Sequence, residues 1–227
     1  MLKAVIFDFD GVIANTEPVH FEAFRVILNE EGELLTEAQY YARYLAYDDR
    51  TFFEKLLKDR DIDASEDYIL ELMKRKSAAY DNLIDGNIRI LPGVLDLIGS
   101  LRGKVRLAIG SGALKKEITD ILEYAGIGSD FETIASAEDV EKSKPEPDVF
   151  LEALRRLDSG GSSQTSILPG ECVVIEDSVS GISAAKSAGM KCIAVCNSYS
   201  AAELCQADLV VDTLEGLGFE EIAELSD

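Results

Sequence analysis

The fold is decided by residues 3–11, which read Lys-Ala-Val-Ile-Phe-Asp-Phe-Asp-Gly. The apolar run that ends at Phe7 predicts a short strand buried on both faces, as is typical of the interior of a parallel sheet. Asp8, Asp10 and Gly11 follow it and predict a polar turn at the carboxyl end of that strand. Such a strand needs neighbours on both sides, so the same pattern is expected elsewhere in the chain.

Three further segments repeat this pattern of an apolar run followed by a polar or glycine-rich turn. They are residues 105–109, 172–175 and 192–195. Amphipathic helical patterns lie between the runs, at residues 114–125, 148–157 and 180–188. The alternation of strands and helices predicts an α/β fold with a doubly wound, parallel, Rossmann-like sheet.

Residues 15–88 interrupt this alternation. They contain almost no β-branched run, and their apolar side chains share helical faces, as Phe24 and Leu28 do. The pattern predicts an α-helical domain inserted directly after the first strand. We therefore expect a Rossmann-like core formed by residues 1–14 and 89–227, with residues 15–88 as a separate helical domain.

Composition excludes several classes of protein. Of the 227 residues, 47% are hydrophobic and 29% charged, which is the balance of a globular chain with a sizeable core. The formal net charge of −21 repels phosphate backbones and anionic membranes, so no nucleic acid and no membrane is expected as a partner. Residues 159–163, Ser-Gly-Gly-Ser-Ser, predict an exposed loop.

The cysteines argue against a zinc site. The four cysteines form no CxxC pair, and the single histidine, His20, is far from them in the sequence. Cysteines in apolar runs are typical of buried, reduced thiols. The sequence shows no signal peptide and no apolar run long enough for a membrane span, so we expect a cytoplasmic protein, and a monomer.

Polar residues are expected to meet at one edge of the sheet, because the carboxyl ends of parallel strands converge there and bind ligands. These residues are Asp8, Asp10, Ser111, Lys144, Glu176 and Asp177. Four crowded carboxylates raise one another's pKa unless a cation joins them. Oxygen ligands indicate a hard divalent cation, and Mg²⁺ fits best because it leaves a position for a substrate phosphate oxygen.

Other interpretations of these motifs fail on spacing. The segment that starts at Asp8 is not an EF-hand loop, because its glycine is fourth instead of sixth and its twelfth position is Val19. The Gly-Ser-Gly of residues 110–112 is not a dinucleotide fingerprint, because Lys115 stands where the third glycine belongs. An isolated Asp-x-Asp also fits a solvated turn, but the buried strand before it and the three matching segments after it favour a site.

In these segments the chain resembles the haloacid dehalogenase superfamily, and more narrowly its beta-phosphoglucomutase and phosphoglycolate-phosphatase-like branch. The segments that carry the resemblance are residues 7–12 (Phe-Asp-Phe-Asp-Gly-Val), 110–112 (Gly-Ser-Gly), 144–150 (Lys-Pro-Glu-Pro-Asp-Val-Phe) and 175–178 (Ile-Glu-Asp-Ser), with Gly181. They extend over nearly the whole chain. The family's small helical cap is inserted where residues 15–88 lie. The resemblance implies a magnesium-dependent phosphatase that acts on a small phosphorylated metabolite.

The resemblance also implies the chemistry of the two aspartates. Asp8 would attack phosphorus and form an aspartyl-phosphate. Asp10 would protonate the leaving oxygen and then deprotonate the water that hydrolyses the intermediate. Within the resembled superfamily, an acid at the position of Asp10 is characteristic of phosphatases and phosphomutases.

The remaining core residues are implied to bind the substrate and the cation. Phosphate binding falls to Ser111, the Gly112 amide and Lys144, and metal binding to Asp8, the Asp10 carbonyl oxygen and Asp177, with Glu176 as a ligand or just behind it. In the cap, His20 and Lys76 lie where mutase-like relatives carry a histidine and a lysine near the acid/base. Arg50 could reach a substrate anion and Thr16 could orient Asp10, although solvated helix positions explain His20 and Lys76 equally well.

Two alternatives stay open. A beta-phosphoglucomutase-like sugar phosphomutase must hold a second phosphate, and in the resembled mutases the residues just after the second motif help to do so. Here that stretch is Ala-Leu-Lys-Lys at 113–116, and Asn15 replaces an acidic residue of those mutases, which favours hydrolysis unless one of the lysines compensates. A phospho-accepting receiver or metal-binding module would need only Asp8 and a cation, so Asp10 and the cap argue against it.

Overall fold

A computed structural model of the protein describes residues 1–45, 47–83, 89–160 and 166–225. The chain divides into two compact units, Met1–Asn15 with Ile90–Asp227, and Thr16–Arg89. The expected boundary at residue 88 lies outside the described residues. Within the described ranges, no helix combines the length and the apolar composition that a membrane span requires.

The first unit is built on a six-stranded parallel sheet. Its strands are Ala4–Phe7 (β1), Arg106–Gly110 (β4), Thr133–Ala135 (β5), Cys172–Glu176 (β6), Lys191–Val195 (β7) and Leu209–Val211 (β8), while Ala14–Asn15 (β2) and Arg89–Ile90 (β3) form a separate two-stranded sheet. The strand order is β5-β4-β1-β6-β7-β8. The central position of β1 explains its fully buried, continuously apolar sequence. The predicted doubly wound parallel sheet is confirmed.

The strand order places a topological switch point beside β1. From β1 the chain builds outward through β4 and β5, and it then returns to the other side of β1 to build β6, β7 and β8. Ligands of open α/β sheets bind at such a point, outside the carboxyl ends of the strands. The register brings Phe7 level with Ile109 of β4 and Ile175 of β6, so the residues that follow these three strands come together.

Where the structure describes it, the second unit contains four α-helices, which confirms the predicted helical insertion. They are Glu17–Glu30 (α1), Glu37–Arg43 (α2), Asp49–Asp59 (α3) and Glu66–Leu83 (α4). The unit has its own aromatic core, in which the ring of Phe24 stacks on that of Phe52 at 3.7 Å and meets the edge of Phe53 at 5.4 Å. Asp48 begins α3 as its N-cap, accepting a hydrogen bond from the Thr51 amide at 2.9 Å.

The helices of the first unit lie between its strands in the sequence. They are Val94–Leu101 (α5), Lys115–Ala125 (α6), Asp148–Gly160 (α7), Val179–Ser187 (α8) and Phe219–Glu224 (α9). α7 continues through Gly160, so the expected loop at 159–163 is wrong for its first two residues, and residues 161–163 lie outside the described residues. Leu157 still packs in the core, and the helix continues past it with the Ser159 hydroxyl donating to the Arg155 carbonyl of the preceding turn at 2.8 Å.

Sequence reasoning missed β5 and β8. Each has only three residues, and residues 209–211 are all half-buried. Both strands form the outer edges of the sheet, where one side of the backbone has no neighbouring strand. A three-residue, half-buried strand offers too short a run for the apolar pattern that identifies the central strands.

The packing of β4 against α7 yields a stability prediction. A Cβ atom at Gly110 would lie 2.9 Å from Cδ1 of the buried Phe150 and 3.3 Å from Cγ2 of Ile6. Gly110→Ala should therefore lower the free energy of unfolding by about 1–3 kcal/mol, as overpacking of a core does. Urea denaturation followed by circular dichroism measures this.

The matched control is Gly99→Ala in α5, where an added Cβ meets no atom within 4 Å. In a helix interior that change should leave stability unchanged or raise it by up to about 1 kcal/mol. Equal destabilisation by both substitutions would contradict the packing argument.

Candidate active site

The site in the first unit is organised around the ammonium of Lys144. Its Nζ lies 2.7 Å from Asp8 Oδ1 and 2.7 Å from Glu176 Oε1. The side chain of Lys144 is 11% exposed, and those of Asp8 and Glu176 are 9% and 0% exposed. Burial acts to lower the pKa of Lys144, but the two carboxylates outweigh it and hold that pKa above its ordinary value. Lys144 is therefore a buried, permanent positive charge.

Glu176 is fixed on both of its oxygens. Oε1 accepts the hydrogen bond from Lys144, while Oε2 accepts hydrogen bonds from the amides of Asp177 and Ser178, both at 2.8 Å, and from the Ser178 hydroxyl at 2.9 Å. Burial acts to raise the pKa of Glu176, but Lys144 and the hydrogen bonds lower it below its usual value. Glu176 is thus ionised and directs the Lys144 ammonium toward Asp8.

The close approach of Glu176 to α8 requires a glycine. A Cβ atom at Gly181 would lie 1.6 Å from Glu176 Oε1, so no other residue fits in this first turn of the helix without displacing the carboxylate. The Ser178 hydroxyl caps the same turn by accepting a hydrogen bond from the Gly181 amide at 3.0 Å. The segment after β6 therefore serves the site and the helix at once.

Three carboxylates meet beside Lys144 with an excess of negative charge. One ligand oxygen from each of Asp8, Glu176 and Asp177 lies within 4.8 Å of the others. Burial raises the pKa of Asp8 to about 7, with Lys144 opposing this shift and Glu176 adding to it. Burial, Glu176 and Asp8 raise the pKa of Asp177 well above its usual range. A divalent cation would relieve this repulsion, and carboxylate oxygens are the ligands that Mg²⁺ prefers, so the residues fit a magnesium ion.

The turn after β1 brings Asp10 close to this cluster. Asp10 is half-buried, forms a β-bridge with Ala14, and is itself one of the charges that raise the pKa of Asp8. Gly11 follows in the left-handed conformation with φ +72°, and its amide donates to the Ala14 carbonyl at 2.9 Å. A Cβ atom at Gly11 would lie 1.9 Å from Asp177 Oδ2, so this turn also requires glycine.

The residues after β4 form a loop that leads into α6. Ser111 is buried, its amide donates to the Ala135 carbonyl at 3.0 Å, and its hydroxyl accepts from the Ala113 amide at 3.1 Å. Gly112 is exposed. The structure thus fixes the loop that carries Ser111 and Gly112, and their predicted phosphate contacts stay predictions.

Carboxylates already occupy the backbone donors at the start of α6. The Leu114 amide donates to Glu117 Oε2 at 3.3 Å, and the Lys115 amide donates to Glu138 Oε2 at 3.0 Å. The N-terminal amides of a helix are a common anion site. Here the protein's own acidic side chains already accept hydrogen bonds from two of these amides.

The second unit contains a separate polar cluster around Lys76. The Lys76 side chain is 1% exposed, and its Nζ lies 2.8 Å from His20 Nδ1 and 2.8 Å from Asp49 Oδ1. An ammonium only donates, so Nδ1 of His20 accepts and the imidazole proton resides on Nε2. Burial, reinforced by the charge of Lys76, lowers the pKa of His20 well below its ordinary value, so His20 is neutral.

The sequence indicated His20 and Lys76 as candidate cap residues but did not indicate Asp49. Asp49 is the first residue of α3 and lies 27 positions from Lys76, a separation that no helical period connects. Two adjacent acidic residues at the start of a helix are typical of ordinary capping, and Asp48 does act as the cap. No sequence pattern distinguishes the second acid as the partner of a buried lysine.

The other two predicted cap residues have different surroundings. Arg50 is partly exposed and pairs with Glu66 at 2.6 Å and Glu54 at 3.8 Å. Its guanidinium is therefore engaged by acids of its own unit. Thr16 is buried at the N-cap of α1, where its side chain makes no capping hydrogen bond. Their predicted roles toward a substrate stay predictions.

Sequence reasoning missed two residues, one bonded to the acidic cluster and one to the turn beside it. The Ser198 hydroxyl donates to Asp177 Oδ2, and the Asn197 side-chain amide donates to the Gly11 carbonyl at 2.7 Å. Both residues directly follow β7, at the same edge of the sheet as the other site residues. Their position, in a polar segment just after a predicted buried strand, is the sequence signal that could have identified them.

Comparisons with known proteins agree with this arrangement. A family model described as haloacid dehalogenase-like hydrolase matches residues 5–195. The chain is 30% identical to a phosphorylated carbohydrates phosphatase of Thermotoga maritima, over 84% of this chain and 83% of that protein. It is 32% identical to a beta-phosphoglucomutase of Bacillus subtilis, over 98% of this chain and 95% of that protein. The crystal structure of CbbY from Rhodobacter sphaeroides in complex with phosphate is similar with a TM-score of 0.86 and 27% identity, covering 98% of this chain and 100% of that one.

The surroundings of Lys76 lead to a prediction for the pKa of His20, the only histidine in the sequence. Because burial and Lys76 both lower the pKa of His20, its ring resonances should stay those of neutral imidazole as the pH falls through and well below the ordinary pKa near 6.5. Lys76→Met should raise this pKa, whereas Lys74→Met, at an exposed position of the same helix, should leave it unchanged. NMR of the single imidazole measures both, and a wild-type midpoint near pH 6.5 would contradict the assignment.

The same group makes stability depend on pH. The unfolded state binds a proton at His20 below about pH 6.5 that the folded state does not bind, so the free energy of unfolding should fall as pH falls through that value. His20→Gln should reduce this fall between pH 7.5 and 5.5 in urea denaturation. A pH dependence identical in both proteins would show that His20 does not contribute.

Proposed function

The chain belongs to the haloacid dehalogenase-like hydrolase family, and we propose that it is a magnesium-dependent phosphatase that hydrolyses a small phosphorylated metabolite. The observation that carries this proposal is the buried grouping of Asp8, Lys144, Glu176 and Asp177 at the switch point of the sheet. It combines a nucleophile, a fixed positive charge and a place for a cation. A relative named as a phosphorylated carbohydrates phosphatase supports the substrate class.

In the proposed reaction Asp8 is the nucleophile. A carboxylate oxygen of Asp8 bonds to phosphorus, and the bond from phosphorus to the substrate oxygen breaks, leaving an aspartyl-phosphate. Asp10 donates its proton to the departing oxygen. It then takes a proton from the water that attacks phosphorus, which releases inorganic phosphate and restores Asp8.

The surrounding residues hold the phosphoryl group. Lys144, the Ser111 hydroxyl and the Gly112 amide are assigned to its oxygens, over which negative charge spreads in the transition state. Glu176 acts as the positioning residue for Lys144, since both of its oxygens are already occupied. Asp8, Asp177 and the Asp10 carbonyl oxygen would hold Mg²⁺, with Glu176 beside it, and the bound ion offsets the repulsion between the nucleophile and the phosphate.

The second unit is assigned the role of a cap that excludes water and selects the substrate. In this role, neutral His20 offers an Nε2–H donor, and Lys76 fixes its tautomer. Thr16 and Arg50 are further candidates for contacts with the substrate or with Asp10. Residues 15–88 therefore belong to the cap, and residues 1–14 and 89–227 to the catalytic core.

A sugar phosphomutase is the second candidate, favoured by the 32% identity to a beta-phosphoglucomutase. A mutase must hold a second phosphate during transfer. The Leu114 and Lys115 amides are already paired with Glu117 and Glu138, and the Lys116 ammonium with Asp120 at 2.8 Å. This local surplus of carboxylates disfavours a second anion and supports hydrolysis.

Release of inorganic phosphate from a generic aryl phosphate tests the proposal. We expect steady turnover with Mg²⁺ and loss of turnover when EDTA removes the ion. A panel of phosphorylated metabolites then identifies the natural substrate. Equal rates with and without Mg²⁺ would refute magnesium dependence, and the absence of turnover on the whole panel would refute the phosphatase.

Substitution of the two aspartates separates their roles. Asp8→Asn should lower kcat by more than about 10³-fold and weaken Mg²⁺ binding, because it removes the nucleophile and a ligand. Asp10→Asn should lower kcat by about 10²–10⁴-fold and leave Mg²⁺ affinity nearly unchanged, because only the main-chain oxygen of Asp10 is assigned to the metal. Calorimetric Mg²⁺ titrations measure the difference, and an equal loss of affinity in both variants would contradict it.

The choice between hydrolysis and mutase activity has its own measurement. The enzyme should release phosphate to water and should not efficiently interconvert beta-glucose 1-phosphate and glucose 6-phosphate, even when primed with the bisphosphate. ³¹P NMR follows both reactions in one sample. Rapid, bisphosphate-dependent isomerisation with little free phosphate would establish the mutase instead.

A further inference from the structure

We infer that the loop after β7 completes the cation site, with Ser198 and Asn197 as positioning residues for Asp177 and for the turn after β1. The inference rests on the proposed magnesium site and adds a further chain segment to it. Ser198 donates a hydrogen bond to Asp177 Oδ2, and Asn197 donates one to the Gly11 carbonyl at 2.7 Å. Neither side chain is assigned to the substrate or to the cation.

Three loops from three strands converge at this point. A Cβ atom placed at Gly11 would lie 1.9 Å from Asp177 Oδ2 and 3.1 Å from Ser198 Oγ. The turn after β1, the segment after β6 and the loop after β7 are therefore in direct contact. The packing around Gly11 is a second indication, independent of the hydrogen bond, that Ser198 belongs to the cluster.

The backbone holds this loop in place. The Cys196 amide donates to the Val211 carbonyl of β8 at 2.9 Å, and the Asn197 amide donates to the Val195 carbonyl at 2.9 Å. Asn197 is thus bonded to its own strand, and Cys196 is bonded to the neighbouring strand. These two hydrogen bonds restrain the backbone just before Ser198, as expected for a residue that orients a ligand.

Asp177 needs such a partner because its neighbours repel it. The negative charges of Glu176 and Asp8 both act on its carboxylate, which is buried. A hydrogen bond from Ser198 offsets part of this repulsion and restrains rotation of the carboxylate. With Oδ2 engaged, Oδ1 is the oxygen we assign to the cation. Loss of a partner that orients a metal ligand typically weakens metal binding by about 10–100-fold.

The test measures Mg²⁺ binding to the full-length protein by titration calorimetry, without substrate. Ser198→Ala should raise the Mg²⁺ dissociation constant about 10-fold. Ser198→Thr retains the hydroxyl and should stay within about twofold of the wild type. Asn197→Ala, which removes one neutral hydrogen bond to the turn, should raise the dissociation constant about threefold.

Ser200→Ala is the matched control. The Ser200 hydroxyl lies in the same loop and also bonds a carboxylate, that of Glu203 at 2.6 Å, which is not part of the cluster. Its removal should leave Mg²⁺ affinity unchanged. Where Ser198→Ala does not fold, Ser198→Cys preserves the volume, replaces the hydroxyl by a weak donor and should give the same loss.

The outcomes separate this inference from the proposed function, because phosphate release is measured on the same preparations. Wild-type affinity in Ser198→Ala, or an equal loss in Ser200→Ala, would overturn the inference even if the enzyme is an active phosphatase. A wild type that binds no Mg²⁺ would overturn it as well. Selective loss of binding in Ser198→Ala, without phosphate release from the wild type, would support the inference and refute the phosphatase.

Discussion

The interaction on which the site depends is the burial of one ammonium, that of Lys144, between the carboxylates of Asp8 and Glu176. Buried charges are tolerated only when they are paired and hydrogen-bonded, and each of these charges is. The third carboxylate, Asp177, leaves the group with more negative than positive charge. The pairing that stabilises the buried ammonium therefore also leaves a surplus of acidic groups, which is the arrangement that fits a divalent cation.

The parallel register makes this burial possible. Because Phe7 and Ile175 are paired across β1 and β6, the residues that follow them leave the sheet side by side, and the Asp8 amide still donates to the Ile175 carbonyl at 2.9 Å. The carboxylates then approach the backbone so closely that only glycine fits at positions 11 and 181. Strand register, glycine placement and charge pairing thus depend on one another.

Features that depend on local pattern and strand position were predictable from the sequence, whereas features that depend on packing were not. The buried run before Asp8 and the polar residues after the central strands identified the sheet and the candidate site. β5 and β8 were not predicted because each is an edge strand of three residues, most of them half-buried, and so short a run forms no recognisable pattern. The hydrogen bond between Lys76 and Asp49 was not predictable, because the packing of two helices brings together residues that are 27 positions apart. No sequence period encodes that packing.

The polar clusters of the two units differ in net charge, and this difference bears on the proposed substrate. In the second unit the charges of Lys76 and Asp49 cancel, and His20 is neutral, so a ligand of that cluster would be recognised through hydrogen bonds more than through charge. At the start of α6, carboxylates already take the amides of Leu114 and Lys115. In the first unit, the buried positive charge is that of Lys144, and the proposed cation site lies beside it. For the proposed phosphatase, a second phosphate at the start of α6 would meet carboxylates whose repulsion it could not offset, and this favours a substrate that carries a single phosphate.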